Sequence, residues 1–298
     1  MRREFVLEVR GRKYKLGHKT WLMGVLNVTP DSFSDGGLFF EKENALRKGL
    51  ELVAEGAEII DIGGESARPG AEPIAVDEEL RRVLPVLREL RKRTDVLISV
   101  DTTKAEVARA SLEEGADIIN DISALRFDPQ MAKLIFERKV PCVLMHMKGT
   151  PKTMQISPFY QDVVEEVKSF LRERIEFAKS CGIETPRIII DPGIGFGKRL
   201  EDNLVLLNNL EVFEELNQPL LVGVSRKSFI GKILNLPPEQ RLEGTIASVV
   251  ICIQKGAHIL RVHDLKEVKR AIAVAEAILQ ERVYPESAIK EEGKNYVQ

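Results

Sequence analysis

Short apolar runs and longer one-sided patterns alternate along this chain from residue 22 to about residue 281. The apolar runs lie at 22–27, 58–62, 96–101, 117–120, 140–146, 187–191, 220–225 and 258–262. They have the length of strands and little polar alternation, as expected of strands covered on both faces. Between them, apolar residues spaced i, i+3, i+4 predict helices over 42–56, 77–93, 104–115, 129–138, 159–181, 201–216, 240–256 and 265–281. The first of these presents Ala45, Leu46, Gly49, Leu50, Val53 and Ala54 on one face. Gly56, Gly115, Gly182 and Gly256 follow last turns, where a left-handed residue closes a helix. Pro30, Pro186, Pro237 and Pro238 fall in connections. Ahead of the repeat, 4–9 and 13–16 predict two strands joined through Arg10, Gly11 and Arg12, a hairpin placed to cap the core.

Eight βα units in roughly 250 residues fit an α/β protein of the closed (β/α)8 TIM-barrel kind with a short N-terminal β-hairpin. A doubly wound sheet is the alternative. It is the weaker one, because Asn27, Val28, Thr29 and Pro30 stand where a glycine-rich dinucleotide turn would follow the first strand. The expected plan is a capping hairpin over 1–17, a barrel over 18–282 and a polar tail over 283–298.

Composition narrows the partners. Of 298 residues, 44% are hydrophobic and 30% charged, which is globular rather than disordered. A net charge of −2 provides no basic field for nucleic acid, so any bound anion needs a local site. Cys142, Cys181 and Cys252 are too scattered for a zinc motif and suit a reducing compartment. The N-terminus has no continuous apolar segment of the signal-peptide kind, and no apolar run reaches membrane-span length. The expectation is a cytoplasmic protein with neither nucleic-acid nor membrane partners.

The strand ends carry the chemistry. Asn27, Asp61, Asp101, Asn120, His146, Asp191, Ser225 with Arg226 and Lys227, and Arg261 with His263 all fall there, at the face where barrel enzymes work. A single Asp or Asn after a strand is ordinarily a helix cap, but caps do not call for Lys227, Arg261 and His263. Asp101, Asn120 and Asp191 are acceptors that suit a flat heterocycle rich in N–H groups, and Lys227 is a donor for a ring carbonyl or nitrogen. Asn27, Arg261 and His263 suit an anion such as pyrophosphate bridged by a hard cation. The bland alternative for Arg261 and His263 is an ion pair with Asp264 or another nearby carboxylate. For His146 the alternatives stay open between a core-edge histidine and a site residue. Two long loops, 28–40 and 63–73, have glycines and prolines at their ends and read as lids. Phe33 sits in the polar part of the first.

Eight motifs occur in order at these strand ends: NVTPDSFSDGG at 27–37, DIGGES at 61–66, SVDT at 99–102, INDI at 119–122, MHM at 145–147, DPGIGFGK at 191–198, SRKSF at 225–229 and RVHD at 261–264. Together they resemble the dihydropteroate synthase family of pterin-binding barrels, across about 24–268. That family joins 4-aminobenzoate to a dihydropterin methyl diphosphate, releasing diphosphate and forming 7,8-dihydropteroate by a dissociative, cation-like path. The resemblance implies that Asp101, Asn120, Asp191 and Lys227 hold the pterin, with Ile122 and Met145 as walls. It implies that Arg261, His263 and Asn27 hold the diphosphate, Asn27 through Mg2+. Phe33, Pro69, Phe196 and Ser228 would form the 4-aminobenzoate pocket, with Asp31 and Arg68 organising the closed lids. It also implies a homodimer. One departure stands out: the family has Thr after GGES, and this chain has Ala67, with Ser66 as the nearest hydroxyl. That places the substrate and sulfonamide contacts of the second loop in question. The competing functions are a corrinoid-dependent methyltransferase acting on a methylated folate and a non-catalytic pterin-binding paralogue. SRKSF and RVHD favour a diphosphate substrate over the first, and the charged strand ends speak against the second.

Overall fold

This computed structural model describes residues 2–29 and 37–281. β1 (Phe5–Val9) and β2 (Arg12–Leu16) pair antiparallel with Val9 opposite Arg12. Arg10 and Gly11 take φ of 50° and 71°, the two-residue turn that matches strand twist. Eight parallel strands follow: β3 (Trp21–Asn27), β4 (Ile59–Gly63), β5 (Leu97–Asp101), β6 (Ile118–Asp121), β7 (Cys142–Met145), β8 (Ile188–Asp191), β9 (Leu221–Val222) and β10 (Ile259–Val262). Neighbours in the chain are neighbours in the sheet, β10 lies beside β3, and Ile190 bridges Leu220 so that β8 and β9 complete the ring. The helices are α1 (Gly37–Glu55), α2 (Val76–Arg91), α3 (Ala105–Glu113), α4 (Met131–Arg138), α5 (Val163–Ser180), α6 (Leu200–Asn208), α7 (Ser228–Leu234), α8 (Leu242–Gln254) and α9 (Leu265–Gln280). The expected (β/α)8 barrel is the observed one.

Strand side chains alternate in direction, and here the alternation separates two cores. Leu22, Ile60, Ile98, Ile119, Leu144, Ile190, Val222 and Leu260 pack outward against the helices. Met23, Ile59, Leu97, Ile118, Val143, Ile189, Leu221 and Ile259 pack inward, in one cluster with Leu7, Val9 and Leu16 of the hairpin. The hairpin therefore forms a floor under the barrel. It is tied down through buried Asp117, which accepts from Arg10 of the turn, from Arg91 of α2 at 2.9 Å and from the Ile98 amide at 2.8 Å. Two residues above that floor, the inward positions turn polar: Asp61, Ser99, Asn120, Asp191 and Arg261.

Several elements differ from expectation for local reasons. α5 starts at Val163, later than 159, because Asp162 caps it, accepting from the amides of Val164 and Glu165 at 3.0 and 3.1 Å. The helix expected over 201–216 stops at Asn208. Asn209 donates back to the Val205 carbonyl at 2.8 Å, and Leu210–Leu216 continues as a 3-10 segment. α7 was not anticipated, being only 7 residues long with Gly231 inside; that glycine makes room for the Arg241 guanidinium, which would lie 2.2 Å from a Cβ there. Of the strand expected over 220–225, Leu221 and Val222 pair with β10 and Leu220 bridges β8. α1 begins at Gly37 rather than 42. The four anticipated closing glycines all take positive φ, from 89° to 98°. The expected tail over 283–298 lies outside the described residues.

Candidate active site

Register brings the polar strand ends together. Asn27 pairs with Gly63, Gly63 with Asp101, and Asp101 with Asn120, on four adjacent strands. Met145 stands opposite Asp191 on the next pair. Across the barrel, Arg261 donates from Nε to Asp61 Oδ2 at 2.7 Å and from Nη2 to Asp101 Oδ2 at 3.0 Å. Asn120 donates from Nδ2 to the same Asp61 oxygen at 3.1 Å. Arg261 thus does pair with neighbouring carboxylates, though not with Asp264, which is held by Arg226 at 3.0 Å. Its Nη1 makes no bond to protein among the described residues.

Burial sets the electrostatics. Desolvation pushes the Asp101 carboxyl up to about 7, against the lowering pull of Arg261 and with further lifting by Asp61. Desolvation likewise raises Asp191 to about 6, although the Gly193 amide donates to its Oδ1 at 2.7 Å and Lys227 and Lys198 lie near. Lys227 falls to about 8 through desolvation and Arg261, and its ammonium sits 4.1 Å above the Phe196 ring. His263 falls to about 3 for the same two reasons, so it is a neutral imidazole; its Nδ1 and main-chain N–H both lie on Ser225 Oγ, at 3.1 and 3.2 Å. Carboxyls and amines with pKa values drawn toward neutrality in one cleft are the mark of a reactive or ligand-binding site.

The walls are apolar. Ile122, Met145, Met147 and Met154 form a separate buried cluster, and Ala67 and Phe196 pack against it. Ser66 Oγ accepts from the Arg68 amide at 3.4 Å. Arg68 and Pro69 are exposed, on a loop anchored by the Gly70 amide to the Pro151 carbonyl at 3.0 Å. Ser228 is the exposed first residue of α7, immediately after Lys227. Asp31 and Phe33 lie outside the described residues.

The comparisons with known proteins agree with this geometry. Residues 23–263 match the family model described as pterin binding enzyme. The dihydropteroate synthase of Escherichia coli is 48% identical over 273 residues, which is 92% of this chain and 96% of that one. This chain belongs to the pterin-binding enzyme family. The structure of Xanthomonas albilineans dihydropteroate synthase with 4-aminobenzoic acid matches at a TM-score of 0.87 and 46% identity, covering 93% of this chain and 99% of that one. Its complex with 7,8-dihydropteroate matches at 0.83 and 44%, covering 92% and 98%.

Within this pterin-binding barrel, three residues matter more than the motifs alone suggest. Asp61 is named among the strand ends without a role, yet its fully buried carboxylate is the hub that receives Arg261 and Asn120. The period of two from Ile59 was the signal for it. Met154 enters the apolar wall from the loop after β7, with nothing local to mark it. Lys198, last residue of DPGIGFGK, is buried and bonded to His146 Nδ1 at 2.8 Å. The His146 ring is thus buried at the core edge, against Lys198. At the departure, Ala67 contributes its methyl to the methionine cluster.

Magnesium is a fair match for these residues. Asn27 Oδ1 lies beside Gly63, 3.7 Å from where a Cβ would stand, and Asp101 Oδ2 lies 3.9 Å from the same point. Among the described residues no trio of His, Cys, Asp or Glu forms a ready-made cage. Mg2+ commonly takes one or two protein oxygens and completes its shell with water and phosphate. The site suits a cation that arrives with a diphosphate.

Proposed function

We propose that this chain is a transferase of the folate pathway that joins a dihydropterin methyl diphosphate to 4-aminobenzoate, giving 7,8-dihydropteroate and diphosphate. The observation that carries the reading is the inward ring of the barrel. Half-buried Asp101 and buried Asn120 and Asp191 face donors Lys227 and Arg261 above a sealed floor. The name of the Escherichia coli relative and the product in the Xanthomonas complex point the same way.

In this reading Asp101, Asn120 and Asp191 accept the N–H groups of the pterin edge, Lys227 donates to its carbonyl or ring nitrogen, and Ile122 and Met145 flank the ring. The bond between the methylene carbon and the diphosphate oxygen breaks, and positive charge spreads into the pterin. The two carboxylates stabilise that charge in a low-dielectric site. Arg261 Nη1 and neutral His263 donate to the departing diphosphate. Asn27 would hold Mg2+, which when bound neutralises the charge of the leaving group. The amine nitrogen of 4-aminobenzoate then forms the new C–N bond against Phe196, with Ser66, Ala67, Pro69, Ser228 and Phe33 around it and Asp31 and Arg68 ordering the lids. A carbon this cationic needs no strong base to activate its nucleophile, but it needs water kept away.

The test is direct. Purified protein with Mg2+, the pterin diphosphate and 4-aminobenzoate should yield dihydropteroate and one diphosphate per turnover, and a chelator should stop it. No dihydropteroate under these conditions rejects the reading.

The functional unit we propose is a homodimer in the cytoplasm, where free buried Cys142 and Cys252 suit the reducing conditions. Leu204 of α6, Ile233 of α7 and Ile251 of α8 are 41–55% exposed along one apolar groove. A second copy would cover that face. Sedimentation at micromolar concentration should give twice 33.5 kDa, and a lone 33.5 kDa species removes the dimer.

A further inference from the structure

We propose that His146 and Lys198 form a positioning pair that sets the 4-aminobenzoate side of the site by clamping the turn that carries Phe196. The inference rests on the function proposed above. The Lys198 ammonium is buried, and its three donors have three acceptors: His146 Nδ1 at 2.8 Å, the Gly193 carbonyl at 2.8 Å and the Phe196 carbonyl at 3.1 Å. Gly193 and Phe196 are the two ends of one turn, already closed by the Phe196 amide donating to the Gly193 carbonyl at 3.0 Å. Lys198 therefore grips the turn at both ends. Where the turn goes is set by β7: at Gly193, with φ of 66°, a Cβ would lie 1.9 Å from the His146 carbonyl oxygen.

The imidazole is a fixed post. Its main-chain N–H donates to the Asp191 carbonyl at 2.9 Å, and its ring meets Phe170 edge-on at 4.8 Å. Tyr160 packs beside it and donates its hydroxyl to the Gly197 carbonyl at 2.7 Å. Burial pulls Lys198 down to about 7; in its charged form it donates to Nδ1, and the ring proton then resides on Nε2. Burial and the nearby Lys198 charge both hold this imidazole neutral, which keeps Nδ1 an acceptor. At the other end of the chain of contacts, Phe196 lies under the Lys227 ammonium at 4.1 Å. The pair thus fixes where the aryl wall stands relative to the group that meets the pterin. Asp191 is fixed first by its place in the β8 ladder opposite Met145, and it meets only the near end of the turn, where the Gly193 amide donates to its Oδ1 at 2.7 Å.

The far end of the turn, which carries Phe196, gives the test. Lys198→Met keeps the aliphatic stem and removes the grip. His146→Leu removes the acceptor, and His146→Asn restores an oxygen near the place of Nδ1. In the full-length enzyme, Lys198→Met and His146→Leu should raise the KM for 4-aminobenzoate about tenfold or more, the scale of a lost charged hydrogen bond. The pterin Kd by calorimetry should change by less than about threefold, and His146→Asn should restore the KM to within about threefold of the parent. Amide exchange across 193–197 should quicken about tenfold in Lys198→Met and His146→Leu, and not in His146→Asn, whatever the activity. A parent that makes no dihydropteroate refutes the proposed function, while the exchange data still judge the clamp. Identical behaviour of His146→Leu and His146→Asn, unchanged exchange in Lys198→Met, or a pterin Kd that worsens as much as the arylamine KM would overturn it.

Discussion

Arg261→Met is expected to cost the fold about 3 kcal/mol, within the range for breaking one side of a buried ion pair. The reason is Asp61. Its side chain is 0% exposed, its Oδ1 has no partner among the described residues, and its Oδ2 relies on Arg261 and Asn120. Methionine fills the space of the arginine stem but leaves that carboxylate with one amide donor. The lower end of the range applies because Arg261 keeps 21% of its side chain in water. Activity should fall further, by about a hundredfold or more, if the donor proposed for the departing diphosphate is lost as well. Urea melts of Arg261→Met alone and combined with Asp61→Asn measure the structural part. The amide at 61 needs no counter-charge, so the double variant should regain most of the stability. A parent-like melt of Arg261→Met would show that the buried triad contributes little.

Asp191→Asn should separate binding from stability. The amide oxygen still takes the Gly193 N–H, but the charge and one acceptor are gone, so pterin affinity should fall about a hundredfold by calorimetry. Stability should move the other way. Burial raises Asp191 from 3.8 to about 6, so the folded state disfavours the ionised carboxyl, and stability is lost as the pH rises through that window. Asparagine cannot ionise and escapes this loss. Lys227, already lowered to about 8, can release its proton when its neighbour turns neutral. At pH 8 the variant should melt no lower than the parent. Pterin binding by the parent should tighten as the pH rises from 5 to 8, because ring N–H donors require ionised Asp191 and Asp101. Unchanged pterin affinity in Asp191→Asn would remove Asp191 from the site.

How much of this was legible in the sequence follows from what each feature depends on. The eight βα units were legible because strand and helix periods are local, and Gly56, Gly115, Gly182 and Gly256 marked their ends through a backbone requirement that only the next few residues impose. α7 was not, because its seven residues owe their place to Arg241 reaching over Gly231 from beyond the helix. The strand before it, over 220–225, was overstated, since an apolar run does not reveal how many of its residues find a partner. In the site, Asp101, Asn120, Asp191 and Arg261 could be placed at strand ends, but the bond between Arg261 and Asp61 spans a separation of 200 in the chain. Only the register of the closed barrel brings those two together. Met154 and Lys198 act across loops, where side-chain reach rather than spacing decides the contact.

The hairpin floor has a consequence for traffic. Leu7, Val9 and Leu16 close one end of the barrel, so among the described residues the doorway for ligands is at the strand C-termini. Both substrates must enter and both products leave through the same opening. In the placement proposed above, a pterin on Asp101 and Asp191 would lie deeper than an arylamine beside Phe196 and Pro69. In that placement the second arrival stands in the exit of the first. The barrel works as a vessel with one mouth, and the order of loading is built into its depth.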